Sequence, residues 1–104
     1  MKFGLKDSVI DKISSVFERY GGIEKVIVYG SRAMGNYRNG SDIDLTIKGD
    51  LARKNFYRIL QELDNLNLPY MIDLSQLENI KNTNLTDHIN RQGKMFYERK
   101  EVLQ

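Results

Sequence analysis

Apolar side chains recur along the first part of the chain with a helical period. Between residues 9 and 20 they stand three or four positions apart, which predicts an amphipathic helix. Asp7 or Ser8 is its predicted N-cap, and the glycine pair at 21 and 22 is its predicted end. Residues 25–29 form a short segment rich in β-branched side chains, so we predict a buried strand there.

Residues 41–48 follow a different pattern, because polar and apolar side chains alternate strictly. Successive side chains of a strand point to opposite faces of a sheet. One face therefore receives the apolar residues Ile43, Leu45 and Ile47. The other face receives the polar residues Asp42, Asp44, Thr46 and Lys48. We predict a strand that packs on a core with its first face and presents polar groups on its second.

The remaining segments continue the alternation of helices and strands. Asp50 is the predicted N-cap of a further helix, which ends before residues 65–69. A third strand is predicted over residues 70–74, a last short helix up to Gly93, and an extended segment at 95–97. Strands interleaved with helices indicate an α/β (α+β) fold. We expect one domain over residues 1–104, with a small sheet and helices packed on one face.

Composition narrows the classes of protein to which the chain can belong. Its 104 residues include no cysteine, which excludes disulfide frameworks, cysteine zinc sites and thiol nucleophiles. No apolar run approaches the roughly 18 residues that span a bilayer, and the first residues lack the apolar core of a secretion signal. We therefore expect a cytoplasmic protein that does not bind membranes. A net charge of +2 gives no argument for nucleic acid, and we expect no direct binding to it.

Asp42 and Asp44 are the first candidates for chemistry. Two residues apart on a strand, they leave the same face with Cα atoms about 7 Å apart. Neighbouring carboxylates repel, and a divalent cation relieves that repulsion. Hard oxygen ligands suit Mg²⁺ or Mn²⁺, which complete their shells with water and substrate phosphates. The alternative interpretation is a pair of solvated surface acids, since Asp-x-Asp alone is a weak signal.

A small-residue turn precedes this acid pair by about eleven residues. Gly30 and Ser31 let a backbone approach a ligand closely, and amides at such a turn point towards an anion. Arg32 has two interpretations, a phosphate contact or an ordinary surface residue. The segment is not a Walker A loop, because Gly35 is followed by Asn36 rather than by lysine.

Asp73 is the third acid of interest, because aspartate is disfavoured inside strands. If its strand lies beside that of Asp42 and Asp44, it completes a group of three carboxylates. Otherwise it is an acid at a strand end that faces water. Together, the turn and the three acids describe a metal-dependent site for phosphoryl or nucleotidyl transfer.

Two other polar features receive a structural interpretation. His88 stands alone in the last predicted helix, and we interpret it as a core or surface side chain rather than a catalyst. The basic stretch over residues 91–100 is interpreted as a solvated face.

The spacing Gly-Ser-x9-Ser-Asp-x-Asp, from Gly30 to Asp44, resembles the signature of the DNA polymerase β-like nucleotidyltransferase superfamily. Over nearly its whole length the chain resembles the minimal nucleotidyltransferases, prokaryotic proteins that work beside a small helical HEPN-domain partner. The resemblance implies a polymerase β-like fold with a mixed sheet. It also implies transfer of AMP from ATP, or from another nucleoside triphosphate, to a tyrosine of a HEPN toxin, which would make the chain an antitoxin.

The same resemblance assigns roles to particular residues. It implies that Asp42, Asp44 and Asp73 are catalytic and hold the metal, with two Mg²⁺ ions expected and Mn²⁺ as an alternative. The implied nucleotide and phosphate contacts are Gly30, Ser31, Arg32 and Ser41.

The chain departs from the family pattern at Met34, where members often carry a second arginine. Either a phosphate contact is missing or Arg38 replaces it. Two further hypotheses are alternatives to an active nucleotidyltransferase. One is a weak or inactive binding module that neutralises its partner by contact. The other, for which 104 residues leave little room, is a fragment of an Asp-x-Asp glycosyltransferase.

Overall fold

Four strands and four α-helices form the fold of residues 1–100, the part of the chain that the computed structural model describes. The helices are α1 (Asp7–Glu18), α2 (Ser31–Met34), α3 (Arg53–Asp64) and α4 (Thr83–Gln92). The strands are β1 (Ile23–Tyr29), β2 (Ile43–Gly49), β3 (Ile72–Gln76) and β4 (Lys94–Glu98). A single 3₁₀ turn, Leu77–Asn79, follows β3. The elements occur in the predicted order, and the extended segment at 95–97 is the fourth strand.

The strands form one mixed sheet in the order β3-β2-β1-β4. β1 runs antiparallel to both β2 and β4, whereas β2 and β3 are parallel. A parallel pair needs a long crossover connection, and α3 provides it. The predicted fold class, a small mixed sheet with helices, is confirmed.

One face of the sheet packs on the hydrophobic core beneath α1 and α3. The register aligns Val28, Leu45 and Leu74 across the three strands β1, β2 and β3. Core residues from the helices are Ile13, Val16, Phe17, Ile59 and Leu63. Each fully buried aliphatic side chain contributes roughly 1.5–3 kcal/mol to folding. The strict alternation over residues 41–48 therefore predicted the core face of β2 correctly.

α4 lies on the opposite face of the sheet, where we expected every helix on one face. Gly93, at the end of α4, lies directly against the side chain of Ile27. Ile27 points away from Val26 and Val28, because neighbouring residues of a strand alternate. Ile89 is buried in this second, smaller contact. The consequence for function is that α4 reaches the face of the sheet that carries the acids.

Both predicted aspartate caps are wrong. α1 begins at Asp7 itself, with Lys6 as its N-cap, and the Asp7 carboxylate pairs with the terminal ammonium group at 3.1 Å. Asp50 directly follows β2, and its amide donates to the carbonyl of Gly22. α3 starts later, after Ala52, without a side-chain cap. The Asp7 carboxylate thus pairs with the terminal ammonium group, whereas Asp50 lies two residues before the N-cap of α3.

The basic tail is less solvated than we expected, because Arg99 is bound to backbone. Its guanidinium donates to carbonyl oxygens at the end of α1 and the start of β1. The shortest of these bonds, to Tyr20, measures 2.7 Å. Cations favour the carbonyl end of a helix, so Arg99 anchors β4 to the end of α1.

Over residues 1–100, no helix has the length and apolar character needed to cross a membrane.

Candidate active site

The face of the sheet opposite the core carries a row of three polar side chains. β1 pairs Tyr29 with Asp44, and β2 pairs Asp44 with Asp73. Residues paired across neighbouring strands project from the same face, on strands about 4.8 Å apart. Asp73 therefore lies beside Asp44, on the strand next to it. Asp42 lies two positions before Asp44, one residue before β2 begins, and is exposed.

The next row behind the acids is polar and hydrogen-bonded. The register aligns Thr46 with Ser75, and the Ser75 hydroxyl donates to Thr46 Oγ1 at 3.0 Å. Thr46 is fully buried, so this bond satisfies a group that water cannot reach. It also joins β2 to β3 one row away from Asp44 and Asp73, which holds the two acid-bearing strands in register.

The carboxyl group of Asp44 lies in an unfavourable place for a negative charge. Burial raises its pKa, and the neighbouring charges of Asp73 and Asp42 raise it further. Burial also raises the pKa of Tyr29, and the two acids beside it add to that effect. This face of the sheet therefore concentrates negative charge, which is the electrostatic setting in which a bound divalent cation is favoured.

Gly30 packs directly against this carboxyl group. Its backbone has φ 73° and ψ −151°, a conformation that side-chain-bearing residues rarely adopt. A Cβ atom at this position would come within 2.5 Å of Asp44 Oδ2. Only glycine therefore fits between the end of β1 and the acid, and the turn lies in contact with the carboxylate row.

The Gly30 turn opens the short helix α2. The amides of Ala33 and Met34 both donate to the Gly30 carbonyl, at 3.1 Å each. The amides of Ser31 and Arg32 precede them, at positions where a helix offers no internal acceptor. These two amides and the Ser31 hydroxyl are the groups at the turn that suit an anion.

Arg32 is buried, with 3% of its surface exposed, so the interpretation as a surface residue is wrong. Its Nε and Nη2 atoms donate to the Ser41 carbonyl at 3.1 and 2.7 Å, and Nη1 donates to the Phe3 carbonyl at 2.9 Å. The rings of Tyr37 and Tyr70 lie 5.4 and 5.0 Å from its guanidinium carbon. The guanidinium is thus committed to the protein interior, which opposes a direct role as a phosphate ligand.

Ser41 shapes the loop that presents Asp42. Its hydroxyl accepts the amide of Arg38 at 2.8 Å, and its own amide donates to the Arg38 carbonyl at 3.0 Å. Its carbonyl is the one that Arg32 holds with two bonds. Arg32 and Ser41 therefore position Asp42 from within the fold.

His88 is the site residue that sequence analysis missed. Its Nε2 atom accepts the amide N–H of Gly30 at 3.1 Å, and its ring meets Tyr29 edge-on, with centroids 6.3 Å apart. Gly30 and His88 are 58 residues apart, and no motif links them. The contact depends on α4 crossing the acid-bearing face, a placement that the hydrophobic pattern did not predict.

The acids do not form a ready-made metal cage. Within the described part of the chain, no three side chains of the Asp, Glu, His or Cys type are grouped closely enough to hold an ion by themselves. Mg²⁺ is commonly held by one or two carboxylates together with substrate phosphates and water. The acids lie beside a turn that suits an anion, an arrangement that matches a site completed by substrate phosphates and water.

A model of the family described as polymerase beta, nucleotidyltransferase, matches residues 11–102. The chain belongs to this family. The match spans the Gly30 turn and the residues Asp42, Asp44 and Asp73. None of the curated proteins compared with the chain matches it.

Solved structures of similar fold include toxin–antitoxin complexes. A chain of a crystal structure described as a toxin–antitoxin with AMP-PNP has a TM-score of 0.68 and 22% identity, over 92% of this chain and 76% of the other. A re-refined complex of a tri-AMPylated Shewanella oneidensis HEPN toxin with MNT antitoxin has a TM-score of 0.66 and 19% identity, over 91% and 74%. A candidate nucleotidyltransferase from Sulfolobus solfataricus has a TM-score of 0.52 and 17% identity, over 92% of each chain. At these identities the similarity establishes the fold.

Proposed function

We propose that this nucleotidyltransferase transfers AMP from ATP to a tyrosine hydroxyl of a HEPN-domain toxin, and so acts as an antitoxin in the cytoplasm. Support comes from the similar structures, one described with AMP-PNP and one with a tri-AMPylated HEPN toxin.

Asp42, Asp44 and Asp73 are the residues proposed to hold Mg²⁺, with two ions expected and Mn²⁺ as an alternative. The support is the alignment of Asp44 with Asp73 together with the raised pKa of Asp44, because burial, and after it repulsion from the neighbouring acids, disfavours the charged form of this carboxyl group. Carboxylate oxygens are also the hard ligands that these ions prefer. When bound, the metal would neutralise charge on the phosphates and on the attacking oxygen.

Gly30 and Ser31 are proposed to receive the triphosphate. The close contact of Gly30 with Asp44 would bring phosphate oxygens bound at the turn next to the acids. Arg32 and Ser41, which the family resemblance implied as phosphate contacts, are proposed to act indirectly instead. This indirect role is supported by the two hydrogen bonds that the Arg32 guanidinium donates to the carbonyl of Ser41, the residue before Asp42.

The proposed step is an in-line displacement at the α-phosphorus of ATP. The tyrosine oxygen of the acceptor forms a bond to this phosphorus, the bond to the bridging oxygen breaks, and pyrophosphate leaves. Asp73 is exposed at the outer strand of the row and is proposed to take the hydroxyl proton. The products are an AMP-tyrosine ester, pyrophosphate and a proton, which balances the reaction.

The alignment of Asp44 with Asp73, with Gly30 packed on Asp44, is the observation that carries this proposal. The test mixes the chain with a HEPN-domain protein from the same genome, ATP and Mg²⁺, and records the intact mass of both proteins. We expect the HEPN protein to gain AMP. Asp42→Asn should lower the rate by at least about a hundredfold, because the metal supplies several kcal/mol of transition-state stabilisation.

A matched acid-to-amide control is available on another part of the surface. Asp11 is exposed on α1, which covers the opposite side of the sheet, and Asp11→Asn should transfer AMP at the wild-type rate. Transfer by Asp42→Asn at the rate of this control would contradict the enzymatic proposal.

The second candidate function is neutralisation of the partner by contact alone. One observation favours it, namely that Met34 is 47% exposed in α2, where family members often place an arginine. Arg38, exposed in the loop after α2, stays the predicted replacement. If Asp42→Asn still binds the toxin and still suppresses its activity, binding alone accounts for the function.

A further inference from the structure

His88 is the one side chain of α4 that reaches the Gly30 turn through a hydrogen bond within the described residues. We infer that His88 is a positioning residue for nucleotidyl transfer, whose imidazole holds the Gly30–Ser31 turn in the shape that receives the triphosphate. The inference rests on the proposed function, because it assigns His88 a part in the same site.

The hydrogen bond defines which form of the imidazole is needed. Gly30 donates its amide N–H, so Nε2 of His88 must be without a proton and Nδ1 carries it. The side chain therefore enters the site as a neutral acceptor, and its contact is with the backbone of the turn. Because the contact is with the backbone, another side chain with an acceptor at the same reach can replace it.

The turn needs such a restraint because its first residue is glycine. Glycine has access to more backbone conformations than any other residue, and here it must hold φ 73° beside Asp44. A turn that moves freely loses more entropy when it closes on a ligand, and this loss weakens binding. A hydrogen bond at the Gly30 amide limits that freedom before the nucleotide arrives.

His88 itself is held in place by its surroundings. The next residue, Ile89, is buried, and its carbonyl accepts the amide of Gly93 at 2.8 Å. At the other end of α4, the Asn82 side chain caps the helix by accepting the amides of Asn84 and Leu85. The edge-on contact with Tyr29, at an interplanar angle of 77°, orients the imidazole ring. A helix fixed at both ends can transmit this position to the turn.

The decisive variants separate the hydrogen bond from the ring contact. His88→Phe keeps a ring beside Tyr29 and removes the acceptor. His88→Gln removes the ring and offers an amide oxygen at similar reach. Asn90→Ala changes an exposed residue of the same helix and serves as the matched control.

Two measurements are made on each variant. Steady-state transfer to the HEPN protein gives KM for ATP and kcat at saturating Mg²⁺. Amide hydrogen exchange by NMR, in the absence of ATP, gives the protection of the Gly30 N–H.

For His88→Phe we expect KM for ATP to rise about three- to tenfold, the effect of one hydrogen bond, with kcat within about twofold of wild type. The Gly30 amide should exchange faster by a similar factor. His88→Gln should recover most of both effects, and Asn90→Ala should match wild type. A residue that only stabilised the fold would not raise KM while leaving kcat unchanged, and His88→Gln would not restore the KM.

In an active enzyme, three results would overturn the inference. The first is a KM for ATP in His88→Phe equal to that of wild type, and the second is a His88→Phe variant in which only kcat falls. The third is a KM for ATP in His88→Gln as high as that in His88→Phe. If His88→Phe does not fold, His88→Gln alone decides, because a KM and a Gly30 exchange rate near wild type support the acceptor role and a raised KM contradicts it. Failure of the proposed function looks different, since wild type itself would then transfer no AMP and show no affinity for ATP. The Gly30 exchange rates would still report the His88 contact in that case.

Discussion

The two faces of β2 serve opposite purposes. On one face, Ile43, Leu45 and Ile47 are buried beneath α1 and α3 and stabilise the fold. On the other face, Asp44 is held beside Asp73 and its pKa is raised, so this arrangement opposes folding as long as no cation is bound. One strand of seven residues thus combines a stabilising side with a destabilising one. Functional groups of this kind are commonly tolerated at a cost in stability, because the remaining structure exceeds the stability that function requires.

Truncation of the core face should have the largest effect on stability. Leu45→Ala removes a fully buried side chain, and we expect the free energy of unfolding to fall by about 2–5 kcal/mol. Urea denaturation followed by circular dichroism measures this change. Met71→Ala is the matched control, because its side chain is 70% exposed and its truncation should cost less than about 0.5 kcal/mol. Equal losses in the two variants would contradict the assignment of the core face.

Ligand binding should offset the repulsion among the carboxylates on the acid-bearing face of the sheet. ATP and Mg²⁺ together should stabilise the chain by about 2.7 kcal/mol at a hundredfold excess over Kd. Because the acids form no complete cage in the described part of the chain, Mg²⁺ alone should give a small shift in Tm. Thermal denaturation with each ligand separately and with both makes the comparison. A full response to ATP without any divalent cation would count against the carboxylate row as the binding site.

Gly30→Ala tests the contact between the turn and the site face. The backbone conformation alone costs a side-chain-bearing residue roughly 1–3 kcal/mol, and the new Cβ would also press on Asp44 Oδ2. We expect a loss of stability of at least this size and a weaker Tm response to ATP with Mg²⁺. Gly35→Ala is a useful comparison, because Gly35 also has positive φ but a Cβ there meets no atom within 4 Å. Similar ATP responses in both variants would show that the Asp44 contact is unimportant.

Removal of the charge at Asp44 should have the smallest effect on stability, and in the opposite direction. Because the pKa of Asp44 is raised in the folded chain, folding favours its protonated form. Stability without metal should therefore fall as pH rises from the ordinary carboxyl pKa, about 4, through the raised value. Asp44→Asn should be slightly more stable than wild type at pH 7 and lose this contribution to the pH dependence. Urea denaturation between pH 4 and pH 7 measures both.

The control for this last prediction is Asp42→Asn, which changes an exposed aspartate two positions before Asp44. Its effect on metal-free stability should be smaller than that of Asp44→Asn. An Asp44→Asn chain less stable than wild type at pH 7 would mean that the carboxylate stabilises the fold.

Much of the fold and the main acids could be predicted from local sequence. The strict alternation over residues 41–48 predicted which side chains of β2 are buried, because a strand has only two faces. Asp73 was a candidate because aspartate is disfavoured inside strands, and the structure places it beside Asp44. The cap predictions for Asp7 and Asp50 failed, because Asp7 is already inside α1 and pairs with the terminal ammonium group, and because α3 begins later than the pattern predicted.

The sequence by itself determined the order of elements, the core face of β2, and the types of residue at the turn and in the acid row. These features follow from spacing within a few residues. Only the tertiary structure decided that Arg32 turns inward to the carbonyls of Phe3 and Ser41, and that His88 meets Gly30. Those contacts join segments up to 58 residues apart, and they depend on how helices pack against the sheet. Periodicity tells which face of an element is apolar, but it does not specify which distant partner a polar side chain will find.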